Sequence, residues 1–235
     1  MSNESCISVV GMGYVGLPLA LAFSKSGIKT IGLDIDSTKV ETINAGKSPI
    51  DHIEDSSIKK YVNNGTLEAD TCFKRVSECY YVIICVPTPL SKHREPELSY
   101  ILATAESIGP YLSPQTTIVL ESTTYPGTTN EVLKEVLERK SGMIAGRDFH
   151  LGYSPEREDP GNPDSTVRKV PKIISGYTPA CLEKIKSLYE MVVDNPVAVE
   201  SCEIAEATKL TENIFRSVNI ALVNELKMVY EKMGI

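Results

Sequence analysis

The stretch ISVVGMGYVGLPLA, residues 7–20, decides the fold. A short apolar run leads into Gly11, Gly13 and Gly16, and an amphipathic segment follows them. This order is typical of a buried strand, a tight turn and the beginning of a helix. Glycines at such a junction permit a sharp turn, a close approach of the backbone to a ligand, and close packing of the helix on the strand. The stretch therefore predicts a strand–turn–helix unit whose turn faces a ligand.

The turn matches the GxGxxG spacing that binds the pyrophosphate of dinucleotides. Backbone N–H groups of the first helical turn face the phosphates, and the helix dipole favours their negative charge. Because a strand precedes the turn and a helix follows it, the match is more specific than the spacing alone. The residues predicted to contact the cofactor here are Gly11, Met12, Gly13, Tyr14, Val15 and Gly16.

An acidic residue stands where a dinucleotide site needs one. The segment KTIGLD ends at Asp34, 23 residues after Gly11. A carboxylate at this strand end accepts hydrogen bonds from the ribose hydroxyls of NAD and repels the 2′-phosphate of NADP. Lys39 follows five residues later and can reach the same ribose. The predicted cofactor is NAD, and FAD ranks below it because FAD proteins usually carry Glu at the acidic position.

The composition is that of a globular protein, and it excludes some classes of function. The 235 residues are 42% hydrophobic and carry a formal net charge of −7, without a dense cluster of Lys or Arg. Nucleic acid is therefore not an expected partner. No segment has the length and apolarity of a membrane span, and the N-terminus lacks the basic region of a signal peptide. We expect a cytoplasmic protein with no membrane partner.

The cysteines and histidines do not suggest a metal site. The six cysteines form no CxxC pair, and no His stands at metal-ligand spacing from them. We predict no metal and expect all six cysteines to be reduced and structural. The three histidines are scattered along the chain, so each is more typical of a surface position than of a catalyst.

Apolar runs of strand length alternate with helical patterns along most of the chain. Strands are predicted over residues 6–10, 29–34, 80–86, 116–121, 149–154, 169–175 and 196–199. Helices are predicted over residues 16–26, 37–45, 56–63, 98–112, 128–140 and 179–192. This alternation indicates the α/β class, with a doubly wound parallel sheet. We assign residues 1–200 to one NAD-binding domain of the Rossmann type.

The last segment has a different pattern. Residues 201–233 contain no Pro or Gly, and their apolar residues recur at helical spacing. A helix of this length measures about 45–50 Å, too long for one small domain to cover. We expect residues 201–235 to begin a central domain, to join it to further chain, and to form a homodimer interface.

Two further strand ends carry residues predicted to face the cofactor. The run YYVIICVPTPL places Val86, Pro87 and Thr88 at the carboxyl end of a parallel strand, where open α/β sheets bind ligands. The run TTIVLESTTYPGTT presents Ser122 and Thr123 at the same edge. The alternative to cofactor binding is a structural role for both segments. The prolines would then only stiffen the end of the first strand, and the hydroxyl residues would form an ordinary turn after the second.

Two local features follow the second of these strands. The helix predicted from residue 128 is expected to take its N-cap from the hydroxyl of Thr128 or Thr129. Further along, GYSPEREDPGN packs Glu156 and Arg157 with other charged residues between two prolines. A solvated charged loop explains that segment equally well.

Six segments, in chain order, resemble the nucleotide-sugar 6-dehydrogenase family, which includes UDP-glucose and GDP-mannose dehydrogenases. They are GMGYVGLPLA, GLDID, CVPTPL with REPELSY, ESTTYPGTT, YSPEREDPGN and KLTENIFRSVNIALVNELK. The third, fourth and fifth are more typical of the UDP-N-acetylhexosamine branch than of the UDP-glucose enzymes. The resemblance implies that a sugar C6 alcohol is oxidised to a carboxylate with two NAD⁺, and that the substrate is a UDP-sugar.

The resemblance also implies roles for individual residues. Thr123 matches a threonine near the nicotinamide and the catalytic water, and Glu156 matches the glutamate of the SPE motif that lines the site. Lys209 and Asn213 match a lysine and an asparagine that stabilise oxyanions. Their spacing of four agrees, since residues four apart share one helix face. Arg157 joins Glu156, Lys209 and Asn213 as a substrate-binding residue.

One part of the family pattern is absent. The family carries its nucleophilic cysteine in a GGxC segment beyond the central helix, and none of the six cysteines has that context. We expect the UDP-binding domain to be absent as well. We therefore expect this chain to bind NAD⁺ without turnover. Two alternatives stay open: a two-electron dehydrogenase of the hydroxy-acid or 6-phosphogluconate type, and a non-catalytic NAD-binding module that oligomerises through its long helix.

Overall fold

A computed structural model describes residues 6–51, 53–90, 92, 96–156 and 171–235. Within these residues eight strands form one sheet in the order β3-β2-β1-β4-β5-β6-β7-β8. The strands are β1 Cys6–Val10, β2 Lys29–Leu33, β3 Leu67–Asp70, β4 Tyr81–Ile84, β5 Thr117–Leu120, β6 His150–Tyr153, β7 Lys172–Gly176 and β8 Pro196–Ala198.

Seven α-helices connect or follow these strands in the part of the chain that is described. They are α1 Gly16–Lys25, α2 Ser37–Asn44, α3 Asp55–Asn63, α4 Ser99–Ile108, α5 Lys134–Ser141, α6 Pro179–Tyr189 and α7 Cys202–Lys232. The α/β architecture predicted from the sequence is confirmed, and the predicted strands and helices recur at close to their predicted bounds. A π-helical stretch, Thr128–Leu133, precedes α5 without a break.

The sheet is parallel from β3 through β6, but β7 runs antiparallel to β6. The predicted parallel sheet is therefore confirmed from β3 through β6, and it is wrong for β7 and for β8, which runs parallel to β7. Strand direction depends on how the chain returns to the sheet, and the residues of a strand carry no signal for it. The reversal has a structural consequence, because it brings Lys172, at the beginning of β7, to the edge where β5 and β6 end.

Strand β3 was not predicted from the sequence. Its four residues read LEAD, with two exposed or half-buried carboxylates, and it pairs with β2 on one side as the edge of the sheet. Edge strands are often short and charged. Such a strand gives only a weak period-two pattern, and the hydrogen bonds to β2 decide that it forms.

Both faces of the sheet are covered by apolar side chains. Along β1, Val9 packs in the cluster on one face and Val10 in the cluster on the other. Ile83 and Ile84 divide in the same way on β4, so the side chains alternate between two cores. Continuous apolar strands are the expected signature of a sheet with helices on both sides.

Helix α7 is buried only at its beginning. It spans 31 residues, which corresponds to about 46 Å, as the sequence predicts. Its buried residues are Cys202, Ala205, Glu206 and Lys209, all within the first three turns. Beyond them large apolar side chains are exposed, among them Phe215 (70% exposed) and Val223 (64% exposed). No helix among the described residues is long and apolar enough to cross a membrane.

Gly16 fixes the contact between α1 and the turn that precedes it. A Cβ at this position would lie 1.9 Å from the carbonyl oxygen of Gly11. We predict that Gly16→Ala lowers the free energy of unfolding by about 2–3 kcal/mol, because the backbone must shift to relieve this overlap. Urea unfolding followed by circular dichroism measures the change.

Gly13→Ala is the matched control for that substitution. A Cβ at Gly13 would meet no atom within 4 Å, so its free energy of unfolding is expected to stay within about 1 kcal/mol of the wild type. Equal losses in both variants, or an unchanged midpoint for Gly16→Ala, would contradict the packing role of Gly16.

Candidate dinucleotide and substrate site

A cavity of about 580 Å³ opens at the carboxyl ends of β1, β2, β4 and β5. This edge is where open α/β sheets bind ligands. Most of the residues predicted from the sequence to form the site line this one cavity: Gly11, Gly13, Tyr14, Val15, Asp34, Lys39, Val86, Pro87, Thr88, Ser122, Thr123 and Glu156.

The glycine turn fits a pyrophosphate. Gly11 has φ +94°, and a Cβ there would lie 2.7 Å from the carbonyl oxygen of Cys85, so only glycine fits without strain. Gly13 lines the cavity, and no protein atom occupies the space that its side chain would take. A diphosphate can therefore approach the backbone at Gly13, above the beginning of α1.

Two residues of the predicted turn do not line the cavity. The side chain of Met12 is fully buried below β2, where a Cβ on Gly32 would lie 2.5 Å from it. The Met12 N–H donates a hydrogen bond to Asp34. Gly16 packs against Gly11. Met12 and Gly16 thus shape the turn, while the cavity itself is lined by its other residues.

Asp34 is locked at the end of β2 by three donors. Its carboxylate accepts from the Met12 N–H at 2.8 Å, the Asp36 N–H at 3.0 Å and the Lys39 ammonium at 2.7 Å. Burial raises the pKa of Asp34, but these hydrogen bonds outweigh burial and hold the pKa below its ordinary value. The group therefore stays ionised and can accept ribose hydroxyls. Asp36 instead caps α2.

The two strand exits after β4 and β5 are tied to each other. Thr88 Oγ1 donates to the carbonyl oxygen of Thr123 at 2.7 Å, and Ser122 Oγ donates to the carbonyl oxygen of Val86 at 2.7 Å. The predicted hydroxyl residues thus hold the two loops at a fixed separation. They form the wall of the cavity at the end opposite to Asp34.

Lys209, near the beginning of α7, does not line the cavity itself but contacts Glu156, which does. Its ammonium donates to the carbonyl oxygen of Glu156 at 2.6 Å and lies 3.4 Å from the Glu156 carboxylate. Asn213, one turn further along α7, is half-buried and does not line the cavity. Arg157 lies outside the described residues.

Glu206 was missed by the sequence analysis. Its fully buried carboxylate accepts from the Gly127 N–H at 2.7 Å, the Thr129 N–H at 2.9 Å and the Thr129 hydroxyl at 2.7 Å. The prediction that Thr128 or Thr129 caps this helix is therefore wrong, since Glu206 accepts the free N–H groups at its N-terminus. Burial raises the pKa of Glu206, and the three donors oppose that shift.

Glu121 is a second acidic residue of the site that the sequence analysis did not select. It lines the cavity at the end of β5, is almost fully buried, and pairs with Lys172 at 3.1 Å. Charged groups are rarely buried without a partner. A glutamate that directly follows the apolar run TIVL was therefore the available signal that a buried cation lies nearby.

The geometry fits a dinucleotide, and the family comparison agrees with it. The model of the UDP-glucose/GDP-mannose dehydrogenase family, NAD binding domain, matches residues 5–193. The chain belongs to this family. The family's central domain matches residues 203–235, which contain most of α7. The predicted cofactor, NAD, is confirmed as that of the family.

Named relatives extend the similarity over nearly the whole chain. The chain is 39% identical over 230 residues to Protein CapL from Staphylococcus aureus and 37% identical over 230 residues to UDP-N-acetyl-D-glucosamine 6-dehydrogenase from Pseudomonas aeruginosa. Each match covers 97% of this chain and 53% or 54% of the relative. The chain therefore spans about half the length of these relatives.

A solved structure shows the same fold. UDP-D-ManNAc dehydrogenase from Pyrococcus horikoshii superposes with a TM-score of 0.92 at 33% sequence identity. The match covers 98% of this chain and 55% of that one. The cavity described above thus belongs to a fold shared with nucleotide-sugar dehydrogenases.

Asp34 is predicted to select NAD⁺. Asp34→Ala removes the acceptor for the ribose hydroxyls, so the Kd for NAD⁺ should rise about 10- to 100-fold. The same change frees Lys39, so NADP⁺ should bind the variant more tightly than it binds the wild type. Isothermal titration calorimetry with both dinucleotides measures the two constants. An unchanged ratio of the two Kd values would contradict this role.

Proposed function

We propose that this chain is the NAD-binding part of a protein that oxidises the C6 alcohol of a UDP-N-acetylhexosamine to the carboxylate, using two NAD⁺. One observation carries the proposal. A single cavity joins the glycine turn and Asp34, at one end, to Thr123 and Glu156 at the other. When bound, NAD⁺ would supply the hydride acceptor, and Thr123 and Glu156 would line the end of the cavity that is left for its nicotinamide.

The residues at that end suit an alcohol and its oxidised forms. Lys209 brings a positive charge to the wall formed by Glu156, at 2.6 Å from its carbonyl oxygen. An ammonium held in this position can stabilise negative charge on a sugar oxygen as it develops. In our proposal Asn213 adds an amide donor from the next turn of α7, Thr123 orients water, and Glu156 and Arg157 contact the sugar nucleotide.

The sugar is proposed from the relatives. Similarity to a UDP-N-acetyl-D-glucosamine 6-dehydrogenase and to a UDP-D-ManNAc dehydrogenase favours a UDP-N-acetylhexosamine over UDP-glucose. The segments PTPL and SPER point the same way, since they resemble the N-acetylhexosamine branch. They also count against the two-electron dehydrogenases that the sequence left open.

The 235-residue chain by itself is predicted to bind NAD⁺ without producing NADH. Cys85 lines the cavity but is buried behind the glycine turn. Burial raises the pKa of Cys202 to about 12, so its thiol stays protonated and is a poor nucleophile. Calorimetry with NAD⁺ and absorbance at the NADH band, with UDP-N-acetylglucosamine and UDP-N-acetylmannosamine, test this. Sustained NADH production would contradict it, and an absence of NAD⁺ binding would contradict the proposed function.

We further propose that the exposed apolar face of α7 pairs with the same face of a second copy. Beyond Lys209 the helix exposes a stripe of large apolar side chains over more than five turns, including Ile214, Val218 and Val229. Contiguous apolar surface of this extent marks an interaction site. Two copies of α7 can bury this surface against each other symmetrically, which is the usual arrangement in homodimers.

The oligomeric state tests this pairing. Ile214→Glu with Val218→Glu places charges on the apolar face, so the predicted dimer should become a monomer in light scattering. Glu183→Lys, a charge change on the exposed side of α6, is the control and should stay dimeric. A wild-type chain that is monomeric at high concentration would rule out the homodimer.

A further inference from the structure

Three buried polar side chains form a network next to the cavity that the proposed function does not use. Glu121, Lys172 and Tyr189 are 2%, 7% and 0% exposed, respectively. The Lys172 ammonium lies 3.1 Å from Glu121 Oε2, and the Tyr189 hydroxyl donates to Glu121 Oε1. Lys172 also stands over the Tyr189 ring, 5.0 Å from its centroid. Each member comes from a different element: the end of β5, the beginning of β7 and the last residue of α6.

The network satisfies its own charges. Burial and the neighbouring Glu121 carboxylate raise the pKa of Tyr189, so its hydroxyl remains a donor. The charges of Lys172 and Glu121 cancel, and each oxygen of the Glu121 carboxylate accepts a hydrogen bond. A buried ion pair of this kind is weak evidence for stability, because desolvation opposes the attraction. Its position next to the site therefore needs a reason other than stability.

Lys172 connects this network to the loop that carries Glu156. Its ammonium lies 3.4 Å from the carbonyl oxygen of Pro155. The next carbonyl oxygen, that of Glu156, accepts from Lys209 at 2.6 Å. Two ammonium groups thus hold consecutive carbonyl oxygens of one loop. Lys209 approaches from α7 and Lys172 from β7, and only the antiparallel direction of β7 brings Lys172 to this edge.

The network lies at one end of the dinucleotide. Asp34 marks the adenosine end of the cavity, and the glycine turn marks the pyrophosphate. Glu121, Thr123 and Glu156 line the remaining end, which is left for the nicotinamide. Fixing the Pro155–Glu156 carbonyls relative to Glu121 therefore fixes the wall against which the nicotinamide half binds.

We propose that Lys172 is a positioning residue: paired with Glu121, it holds the Pro155–Glu156 loop at the distance from β5 that the nicotinamide half of the cofactor requires. This inference rests on the proposed function. It predicts a defect confined to one half of the dinucleotide, because the Asp34 end and the glycine turn make no contact with Lys172.

The test compares two ligands that differ only in the nicotinamide: NAD⁺ and ADP-ribose. Lys172→Met alone leaves Glu121 buried without its cation, which is expected to destabilise the fold. The double variant Lys172→Met with Glu121→Gln removes both charges and keeps the volume, so it should fold. Its Kd for NAD⁺ should rise about tenfold, equivalent to one or two lost hydrogen bonds, and its Kd for ADP-ribose should stay within about twofold.

A spectroscopic readout and two controls complete the experiment. Emission from bound NADH reports the surroundings of the nicotinamide, and at saturation it should be weaker in the double variant than in the wild type. Lys172→Arg keeps a cation within reach of Glu121 and Pro155 and should retain most of the NAD⁺ affinity. Lys186→Met, the same substitution at an exposed position of α6, should match the wild type.

The outcomes separate this inference from the proposed function. Equal losses of NAD⁺ and ADP-ribose affinity, or no loss of either, would overturn the positioning role while leaving the dinucleotide site in place. A folded wild-type chain that binds neither ligand would overturn the proposed function itself.

Discussion

The contact between Gly16 and the carbonyl oxygen of Gly11 is the constraint on which the site depends. With no side chain at Gly16, helix α1 begins directly against the end of β1, beside the part of the cavity that Gly13, Tyr14 and Val15 line. In the same turn the Met12 N–H donates a hydrogen bond to Asp34, so the turn also holds the carboxylate at the end of β2 in place. In our proposal, phosphate binding and ribose selection are therefore set by one rigid unit.

The opposite end of the cavity is held by long-range polar contacts instead of local turns. Helix α7 supplies two of them from one face: Glu206 accepts N–H groups at the turn after Thr123, and Lys209 holds the carbonyl oxygen of Glu156. These residues are three apart, so they project from adjacent positions on the helix. The beginning of α7 thus sets the separation of the two loops, while the remainder of the helix is exposed.

Much of the fold was predictable because its signals are local. The pattern of β1 and α1, the acid at Asp34 and the apolar runs of β4 and β5 are each readable within a few residues. Strand β3 was missed because four residues are too few for the alternation in LEAD to stand out, and Glu, Ala and Asp are not typical strand residues. The antiparallel direction of β7 was missed because strand polarity leaves no mark on strand composition. The cap at Thr129 was assigned to a nearby hydroxyl, whereas the acceptor is 77 residues away.

The sequence by itself determined the glycine turn, its acid, the α/β class and the family, because each depends on residue types at fixed short spacings. The tertiary structure alone decided which polar groups meet inside the protein. Glu121 pairs with Lys172, which is 51 residues away in the sequence, and Lys209 contacts Glu156, which is 53 residues away. Such pairs form only when the sheet order and the position of α7 bring distant segments together, and the cost of burying a charge then requires that each be paired.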